Sequence, residues 1–229
     1  MQHQLTWFGH SNFMLKTEGQ TLLIDPYFEG NPTCPCSSES IEDADAIFLT
    51  HDHGDHLGQA LEIQEHTGAR VVGVFDTVTA LVDEGLPQDA CVGMNIGGTV
   101  EVGGVKAHMV QAMHSSVTGV ATGYILTLSD GYCIYHAGDT GIFSSMELFS
   151  KFHDIDLALL PIGGHFTMDP KQAAYACKLL KCRSVVGMHW GTFPVLEQNT
   201  DRFEEMLKGM RPDVKLLKMA PGETIEISR

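Results

Sequence analysis

The stretch Thr50–His56, THDHGDH, places three histidines and two aspartates within seven residues. It follows the apolar run AIFLT (46–50), which predicts a short buried strand, and it precedes LGQALEIQEHTGA (57–69), which predicts a helix ending near Gly68. Imidazoles at this density rarely serve packing; they titrate or hold a cation. The stretch therefore predicts a metal site in a loop between a strand and a helix.

The spacing within this loop predicts ligands for more than one cation. His51 and His53 are two residues apart, so in an extended segment both side chains point to the same side. Asp55 and His56 come at the turn into the helix, and Gly54 lets the backbone fold tightly between the two pairs. Two cations about 3.5–4 Å apart form a known hydrolytic device. Because four ligands are too few for two metals, we expect further histidines or aspartates at other strand ends.

Three more candidate ligands occupy such positions. His114 follows the predicted strand KAHMVQAM, Asp139 lies in HAGDTG after YCIY, and His189 lies in MHWGTF after SVVG. Open α/β sheets place their sites at the carboxyl ends of strands. A solitary histidine is more often a hydrogen-bonded core residue than a ligand, but this recurrence favours one shared metal site. Asp52, inside the first motif, is expected to be a solvated or capping acid.

Elsewhere the chain alternates predicted strands and helices, which indicates an α/β protein. Residues 13–26 and 124–139 share one plan, in which a strand, a tight turn and a second strand lead to an aspartate at the strand end. This faint repeat predicts two related halves that face each other rather than two independent domains. Strands are also predicted at 5–10, 70–75, 99–112 as a hairpin, 156–162, 184–190, 214–219 and 223–227, and helices at 77–85, 143–152, 171–182 and 201–210.

Composition restricts the substrate and the location. The net charge is −15 and the 14 Lys and Arg are dispersed, which disfavours nucleic acid and favours a small-molecule substrate. No apolar run approaches the roughly 20 residues that span a bilayer, and no signal-peptide pattern is visible, so a cytoplasmic protein without membrane association is expected. The six cysteines, including Cys34 and Cys36, are expected to be free thiols. Assembly into a homo-oligomer is compatible with the sequence but not specified by it.

The motifs resemble the metallo-β-lactamase-fold hydrolase superfamily. THDHGDH, the downstream His114, Asp139 in GDTG and His189 in MHWGTF carry this resemblance. WFGHSNF (7–13), PIGGHFTMDP (161–170) and MHWGTFP (188–194) resemble more closely an uncharacterised metal-dependent hydrolase group related to ascorbate-phosphate lactonases. The resemblance covers nearly the whole chain. It implies a single domain over residues 1–229 with an αββα four-layer sandwich, in which two facing mixed β-sheets are flanked by helices and the metals lie at one edge.

The resemblance also implies a role for each candidate residue. The first metal would be bound by His51, His53 and His114, the second by Asp55, His56 and His189, with Asp139 bridging the two. Asp25 would support the histidine loop from behind and fix its tautomers. Apart from the resemblance, Asp55 or His165, which precedes a predicted helix N-terminus, could pass a proton to the leaving group. His10 could lie at the pocket floor or be a hydrogen-bonded loop histidine, and these three are the candidate catalytic residues. The acidic loop at 31–45 departs from the pattern of the group.

These residues predict a metal-dependent hydrolase. Two divalent cations are expected, with zinc favoured and manganese, iron or nickel compatible with the imidazole and carboxylate ligands. A bridging hydroxide would attack a small ester, with a lactone-like substrate favoured over a phosphodiester. The alternative from another class is a di-iron redox or sensor protein. Such proteins tend to carry a glutamate in the histidine motif and an attached flavin domain, whereas position 53 here is His. A non-catalytic binding module is the remaining alternative.

Overall fold

The computed structural model describes residues 1–229 as fourteen strands and six helices. The strands are β1 His3–Trp7, β2 Phe13–Thr17, β3 Gln20–Ile24, β4 Ala46–Phe48, β5 Arg70–Val74, β6 Cys91–Met94, β7 Thr99–Val102, β8 Val105–Gln111, β9 Thr122–Thr127, β10 Cys133–His136, β11 Leu157–Pro161, β12 Ser184–Met188, β13 Lys215–Leu216 and β14 Thr224–Ile227. The helices are α1 Gly54–Leu57, α2 Ala60–Thr67, α3 Phe75–Asp83, α4 Met146–Phe152, α5 Pro170–Leu180 and α6 Asp201–Met210. None of these helices combines the length and the apolar character needed to cross a lipid bilayer.

The strands form two mixed sheets of seven strands each. The first sheet has the order β14-β1-β2-β3-β4-β5-β6 and the second has the order β13-β12-β11-β10-β9-β8-β7. Strands β3 to β6 run parallel, as do β10 to β13, and the remaining neighbours are antiparallel. Helices α2 and α3 pack on the first sheet, and α5 packs on the second and contacts α4 and α6. The predicted α/β sandwich of two mixed sheets flanked by helices is confirmed.

The apolar side chains of the first sheet pack on both of its faces. Leu22 and Ile24 belong to a core cluster that also contains residues of the second sheet, whereas Leu23 belongs to a smaller cluster with Ile63 of α2 and Leu81 of α3. Successive residues of a strand point to opposite faces, so continuous apolar runs are what a sheet covered on both sides requires. The strand ends are thereby fixed by packing, and the loops at their carboxyl ends carry the candidate ligands.

The helix predicted over 57–69 differs in the structure. The chain forms the short α1 and then restarts as α2, because Gly58 between them adopts φ 46°. A Cβ at Gly58 would lie 2.3 Å from the carbonyl oxygen of Pro26, a distant contact that the local pattern does not reveal. Gly68 ends α2 in the left-handed conformation, as predicted. The sequence patterns do not predict strand β6, a four-residue edge strand that is only partly buried and contains Gly93.

The two hairpins of the predicted repeat occupy corresponding places in the two sheets. β2–β3 and β9–β10 are both antiparallel, and the second strand of each pairs in parallel with the next strand along the chain, β4 or β11. Asp25 directly follows β3 and Asp139 lies shortly after β10. The repeat therefore has a counterpart in the topology, and it delivers one aspartate from each half to the same edge.

Candidate metal centre

The seven predicted metal ligands, together with His10, lie in three overlapping groups at one edge of the sandwich. Within each group the nearest nitrogen and oxygen atoms all lie within 4.8 Å of one another. The groups are His51, His53 and His114; His51, His56 and Asp139; and His10, Asp55, His56 and His189. The loops that follow β4, β8, β10 and β12 are thus brought together, as expected for the carboxyl ends of strands.

The first group offers three imidazole nitrogens. His51 Nε2 lies 3.0 Å from His53 Nδ1, and the rings of His51 and His114 have centroids 5.2 Å apart. Two nitrogens on a tetrahedral zinc ion, each about 2.0–2.1 Å from the metal, stand roughly 3.3 Å apart. Burial, aided by nearby His56, lowers the pKa of His51 to about 2, and burial also lowers the pKa of His114. Both rings are therefore neutral at physiological pH, which is the form that binds metals.

The carboxylate of Asp139 lies between the groups. Its Oδ1 is 3.3 Å from His56 Nε2, while its Oδ2 is 3.0 Å from His189 Nε2 and 3.6 Å from His114 Nε2. Burial opposes ionisation of Asp139, but the electrostatic attraction of His189 and His56 outweighs it and holds the pKa of the carboxyl well below its usual range. An ionised carboxylate in this place can contact cations on both sides.

Two buried atoms at the centre lack a hydrogen-bond partner, which supplies a test of whether a metal fits. His56 Nε2 and Asp139 Oδ1 face each other at 3.3 Å, and both are inaccessible to solvent and unpaired. Leaving a buried polar atom unpaired costs about 1–3 kcal/mol, so two such atoms side by side call for a common partner. A divalent cation is such a partner, and imidazole with carboxylate is a donor set that zinc, manganese, iron and nickel accept. The residues present therefore fit a metal.

Asp25 supports the histidine loop from behind. Its Oδ1 accepts a hydrogen bond from Thr50 N at 2.8 Å, and its Oδ2 lies 2.7 Å from both Thr50 Oγ1 and His56 Nδ1. A proton on His56 Nδ1 directed at this carboxylate leaves Nε2 free to face Asp139. Burial lowers the pKa of His56, but Asp139 and Asp25 together raise it well above the usual value. The two carboxylates thus favour a positive ring in the metal-free chain, and a metal ion would take the place of the proton on Nε2.

Backbone strain is concentrated at the centre. His10, Asp25 and His189 have φ values of 52°, 47° and 58°, in the left-handed region that residues other than glycine rarely adopt. The amide of His189 donates to the carbonyl of His10 at 3.0 Å, so two of the three strained positions hold each other. Such conformations cost about 1–3 kcal/mol each and tend to cluster where function requires a particular placement of side chains.

His10 is completely buried and contacts protein groups on both ring nitrogens. Its Nδ1 lies 2.9 Å from Thr192 Oγ1, and its Nε2 lies 3.2 Å from Asp55 Oδ2. Burial, together with His189, lowers the pKa of His10 to about 4, so the ring is neutral at physiological pH. In Asp55, burial opposes ionisation, but the hydrogen bond from His10 outweighs it and lowers the pKa. This placement favours a supporting role for His10 rather than contact with substrate, and nothing in the sequence indicated Thr192.

His165, the third candidate catalytic residue, lies outside the three groups. Its side chain is exposed and lines an open groove of about 530 Å³, which also includes Asp169, Glu197 and Arg202. Gly163, which also lines the groove, packs against the back of His189, because a Cβ at Gly163 would lie 2.3 Å from the carbonyl oxygen of His189 and 3.1 Å from its Nδ1. The structure therefore places His165 in a groove beside the ligands rather than among them.

Comparison with known proteins agrees with this geometry. Residues 20–190 match the family described as Beta-lactamase superfamily domain. The chain is 55% identical over 232 residues to a UPF0173 metal-dependent hydrolase of Nitratidesulfovibrio vulgaris strain Hildenborough, covering 100% of this chain and 97% of the relative. It is 41% identical over 227 residues to a UPF0173 metal-dependent hydrolase of Pyrobaculum islandicum, covering 98% of this chain and 100% of the relative.

A solved structure extends the likeness to three dimensions. Igni18, described as a novel metallo hydrolase from Ignicoccus hospitalis, superposes with a TM-score of 0.91 at 36% sequence identity, covering 100% of both chains. The resemblance stated from the sequence motifs is confirmed at the level of the superfamily. The chain belongs to the metallo-β-lactamase superfamily and, within it, to the UPF0173 metal-dependent hydrolases.

Proposed function

We propose that this protein hydrolyses a small, uncharged ester, with a lactone-like compound as the best candidate, at a centre of two divalent cations. The observation that carries the proposal is the convergence of seven histidine and aspartate side chains in overlapping groups whose nearest nitrogen and oxygen atoms lie within 4.8 Å. The Asp139 carboxylate lies between one group of three imidazoles, where it is 3.6 Å from His114 Nε2, and one group around Asp55, His56 and His189. Two groups joined by one carboxylate suit two ions better than one.

The ligands would divide as the superfamily resemblance implies. The first ion would be held by His51, His53 and His114, the second by Asp55, His56 and His189, and Asp139 would contact both. Zinc is the first choice and manganese the second, because neither ion requires a thiolate and both accept this donor set. When bound, such ions lower the pKa of a coordinated water toward roughly 7 and polarise the carbonyl that is attacked.

The protein's own side chains prepare and protect this chemistry. Asp25 holds His56 in the tautomer that leaves Nε2 free, and Thr50 connects the same carboxylate to the His51 ring, with Oγ1 3.0 Å from His51 Nδ1. His10 holds the Asp55 carboxylate from the buried side. The side chain of Asp55 remains 29% exposed, so besides holding the second ion it could relay a proton from the attacking water to the leaving group.

The groove beside the centre supports a neutral substrate over a phosphodiester. Arg202 is the only Lys or Arg among its lining residues, and its Nη1 already pairs with Glu197 Oε1 at 2.6 Å. Asp169 adds a second carboxylate, so the groove offers no uncommitted positive charge to a phosphate group. The whole chain carries a net charge of −15, which disfavours long polyanions, so an anionic group would have to meet the bound cations themselves. The resemblance to the lactonase-related group points to the same class of ester.

The test is a substrate panel on protein reconstituted with zinc or with manganese. An aliphatic lactone, an open-chain ester, a thioester and a phosphodiester would be compared by kcat/KM, with His51→Ala as the metal-deficient control. We expect the lactone to be the preferred substrate and the control to lose both turnover and metal. A phosphodiester preferred by tenfold or more would contradict the substrate class. Absorbance of oxo-bridged iron without hydrolysis of any compound would favour a redox protein instead.

A further inference from the structure

Asp52 makes an unusual set of contacts for a residue first expected to be a solvated or capping acid. Its carboxylate accepts four hydrogen bonds from three consecutive residues that follow His114. Oδ1 accepts from Ser116 Oγ and from Val117 N, both at 2.7 Å. Oδ2 accepts from Thr118 N at 2.7 Å and from Thr118 Oγ1. Asp52 therefore joins the loop that carries His51 and His53 to the loop that carries His114.

The other side of His114 is held in a related way. Met113 N donates to Thr140 Oγ1 at 2.9 Å, and Gly141 N donates to the carbonyl of Met113 at 3.2 Å. Thr140 directly follows Asp139 in the chain. The segment around His114 is thus attached at Met113 to Thr140, next to Asp139, and at residues 116–118 to Asp52, which lies between His51 and His53 in the chain. The His114 side chain is 13% exposed, so packing alone holds it less firmly than the buried side chain of His51.

We propose that Asp52 is a positioning residue for the first cation site, which keeps His114 at the distance from His51 and His53 at which three imidazoles bind one ion. This inference rests on the proposed dinuclear centre. Hydrogen bonds to an ionised carboxylate are roughly twice as strong as neutral ones, and four of them bind three consecutive residues. The remaining side-chain anchor of this loop is neutral, between Thr118 and Thr77 of α3. Removing the carboxylate should therefore let His114 move away from its partners before a metal arrives.

The experiment measures zinc affinity rather than activity. Zinc is titrated into chelator-treated wild type, Asp52→Ala and Thr118→Val in competition with a coloured chelator, and cobalt absorbance reports the geometry of each site. We expect wild type to bind two ions and Asp52→Ala to bind one of them about 10–100-fold more weakly, the effect typical of lost outer-shell partners. The other site should change by less than about threefold. Thr118→Val, which removes one donor from Asp52, should weaken the same site by a smaller factor.

Two further variants identify the site and control for folding. Because Asp52 acts through His114, Asp52→Ala should add nothing to the loss caused by His114→Ala, a non-additivity expected of coupled residues. Asp45→Ala is the matched control, since Asp45 Oδ2 also accepts a backbone hydrogen bond, from Thr21 N at 2.7 Å, but lies before β4 at the opposite end of the strand. It should bind both ions as wild type does.

The outcomes separate this inference from the proposed function. If wild type binds two ions and Asp52→Ala binds both with unchanged affinity, the positioning role is wrong and the dinuclear centre stands. In another outcome, the affinities of both sites fall together in Asp52→Ala, the melting temperature falls with them, and Asp45→Ala shows the same losses. The Asp52 carboxylate is then merely structural and the inference is again wrong. If wild type binds no zinc, the proposed function fails and this inference fails with it.

Discussion

The replacement Asp25→Asn tests how the protein prepares His56 for a metal. The two oxygens of Asp25 receive three donors, which are Thr50 N, Thr50 Oγ1 and His56 Nδ1. Asparagine offers one oxygen and one NH₂ group in the same space. If its oxygen stays with Thr50 N, the NH₂ group faces His56 Nδ1 and forces the ring proton onto Nε2, where it blocks metal binding. If the amide is reversed, the NH₂ group faces Thr50 N and leaves a buried donor unpaired.

The size of the effect follows from these contacts. Either orientation forfeits one charge-assisted hydrogen bond, which contributes about 1.5–3 kcal/mol. In the first orientation the loss falls on the metal-binding tautomer of His56, and since about 1.4 kcal/mol is a factor of ten in a binding constant, the expected loss of zinc affinity is about 10–100-fold. In the second orientation the loss falls on folding stability, and the melting temperature should drop instead. Replacement of outer-shell partners of metal-binding histidines generally costs the same factor. The asparagine side chain has nearly the same volume as the aspartate that it replaces, so we expect little change in packing.

Zinc affinity would be measured by chelator competition on wild type, Asp25→Asn and the control Asp45→Asn. Asp45 accepts its hydrogen bond on one oxygen, which asparagine can supply, so the control should bind zinc as wild type does. The reasoning is refuted if Asp25→Asn binds zinc within about threefold of wild type while its metal-free form unfolds at the wild-type temperature. That result would mean that the tautomer of His56 is set elsewhere.

Three other perturbations have defined outcomes. The pKa of His10 is about 4 in the folded chain, against an ordinary value of 6.5. Between these two values His10 is protonated in the unfolded chain but neutral in the folded chain. The free energy of unfolding therefore falls as the pH is lowered from 6.5 toward 4. Urea midpoints of the metal-free protein at about pH 7.5 and about pH 5 should therefore differ more in wild type than in His10→Gln; equal differences would contradict this. Gly163→Ala should lower the free energy of unfolding by about 1–3 kcal/mol and weaken zinc binding, because the added Cβ would meet His189. The control Gly209→Ala lies in a helix with open space around it, so it should raise the free energy of unfolding by about 0.5–1 kcal/mol in the same assay. Unchanged stability in Gly163→Ala would show that the loop yields freely. His165→Gln should raise KM with little change in kcat, because the exposed ring lines the groove; a fall in kcat at constant KM would instead place it in the chemistry.

The metal-ligand cluster was predictable from the sequence because each ligand follows a recognisable strand. Strand ends are set by short apolar runs, and the carboxyl ends of neighbouring parallel strands meet at one edge. Asp139 and His189 follow β10 and β12 of the second sheet and could be placed together on this ground. His51 follows β4 of the first sheet, so it reaches them only because the two sheets face each other, as the faint repeat predicted. The assignment of particular ligands to each of the two ions came from the superfamily resemblance, and it remains a proposal here.

The supporting contacts could not be predicted, because they join residues far apart in the chain. Nothing local distinguishes Asp52 from a surface acid; its partners Ser116 to Thr118 follow more than sixty positions later. Thr192, which orients His10, is equally unmarked in the sequence. The interruption of the helix at Gly58 has the same origin, since the carbonyl of Pro26 that requires a glycine belongs to another loop. Local patterns thus indicate the ligands, whereas their supports depend on tertiary packing.

The central claim concerns two cations held by seven side chains, and anomalous diffraction from crystals of the zinc-reconstituted protein tests it most directly. Data collected on both sides of the zinc absorption edge should show two peaks about 3.5–4 Å apart. One peak should be bounded by His51, His53 and His114, and the other by Asp55, His56 and His189. A single peak, or peaks away from these residues, would contradict the account.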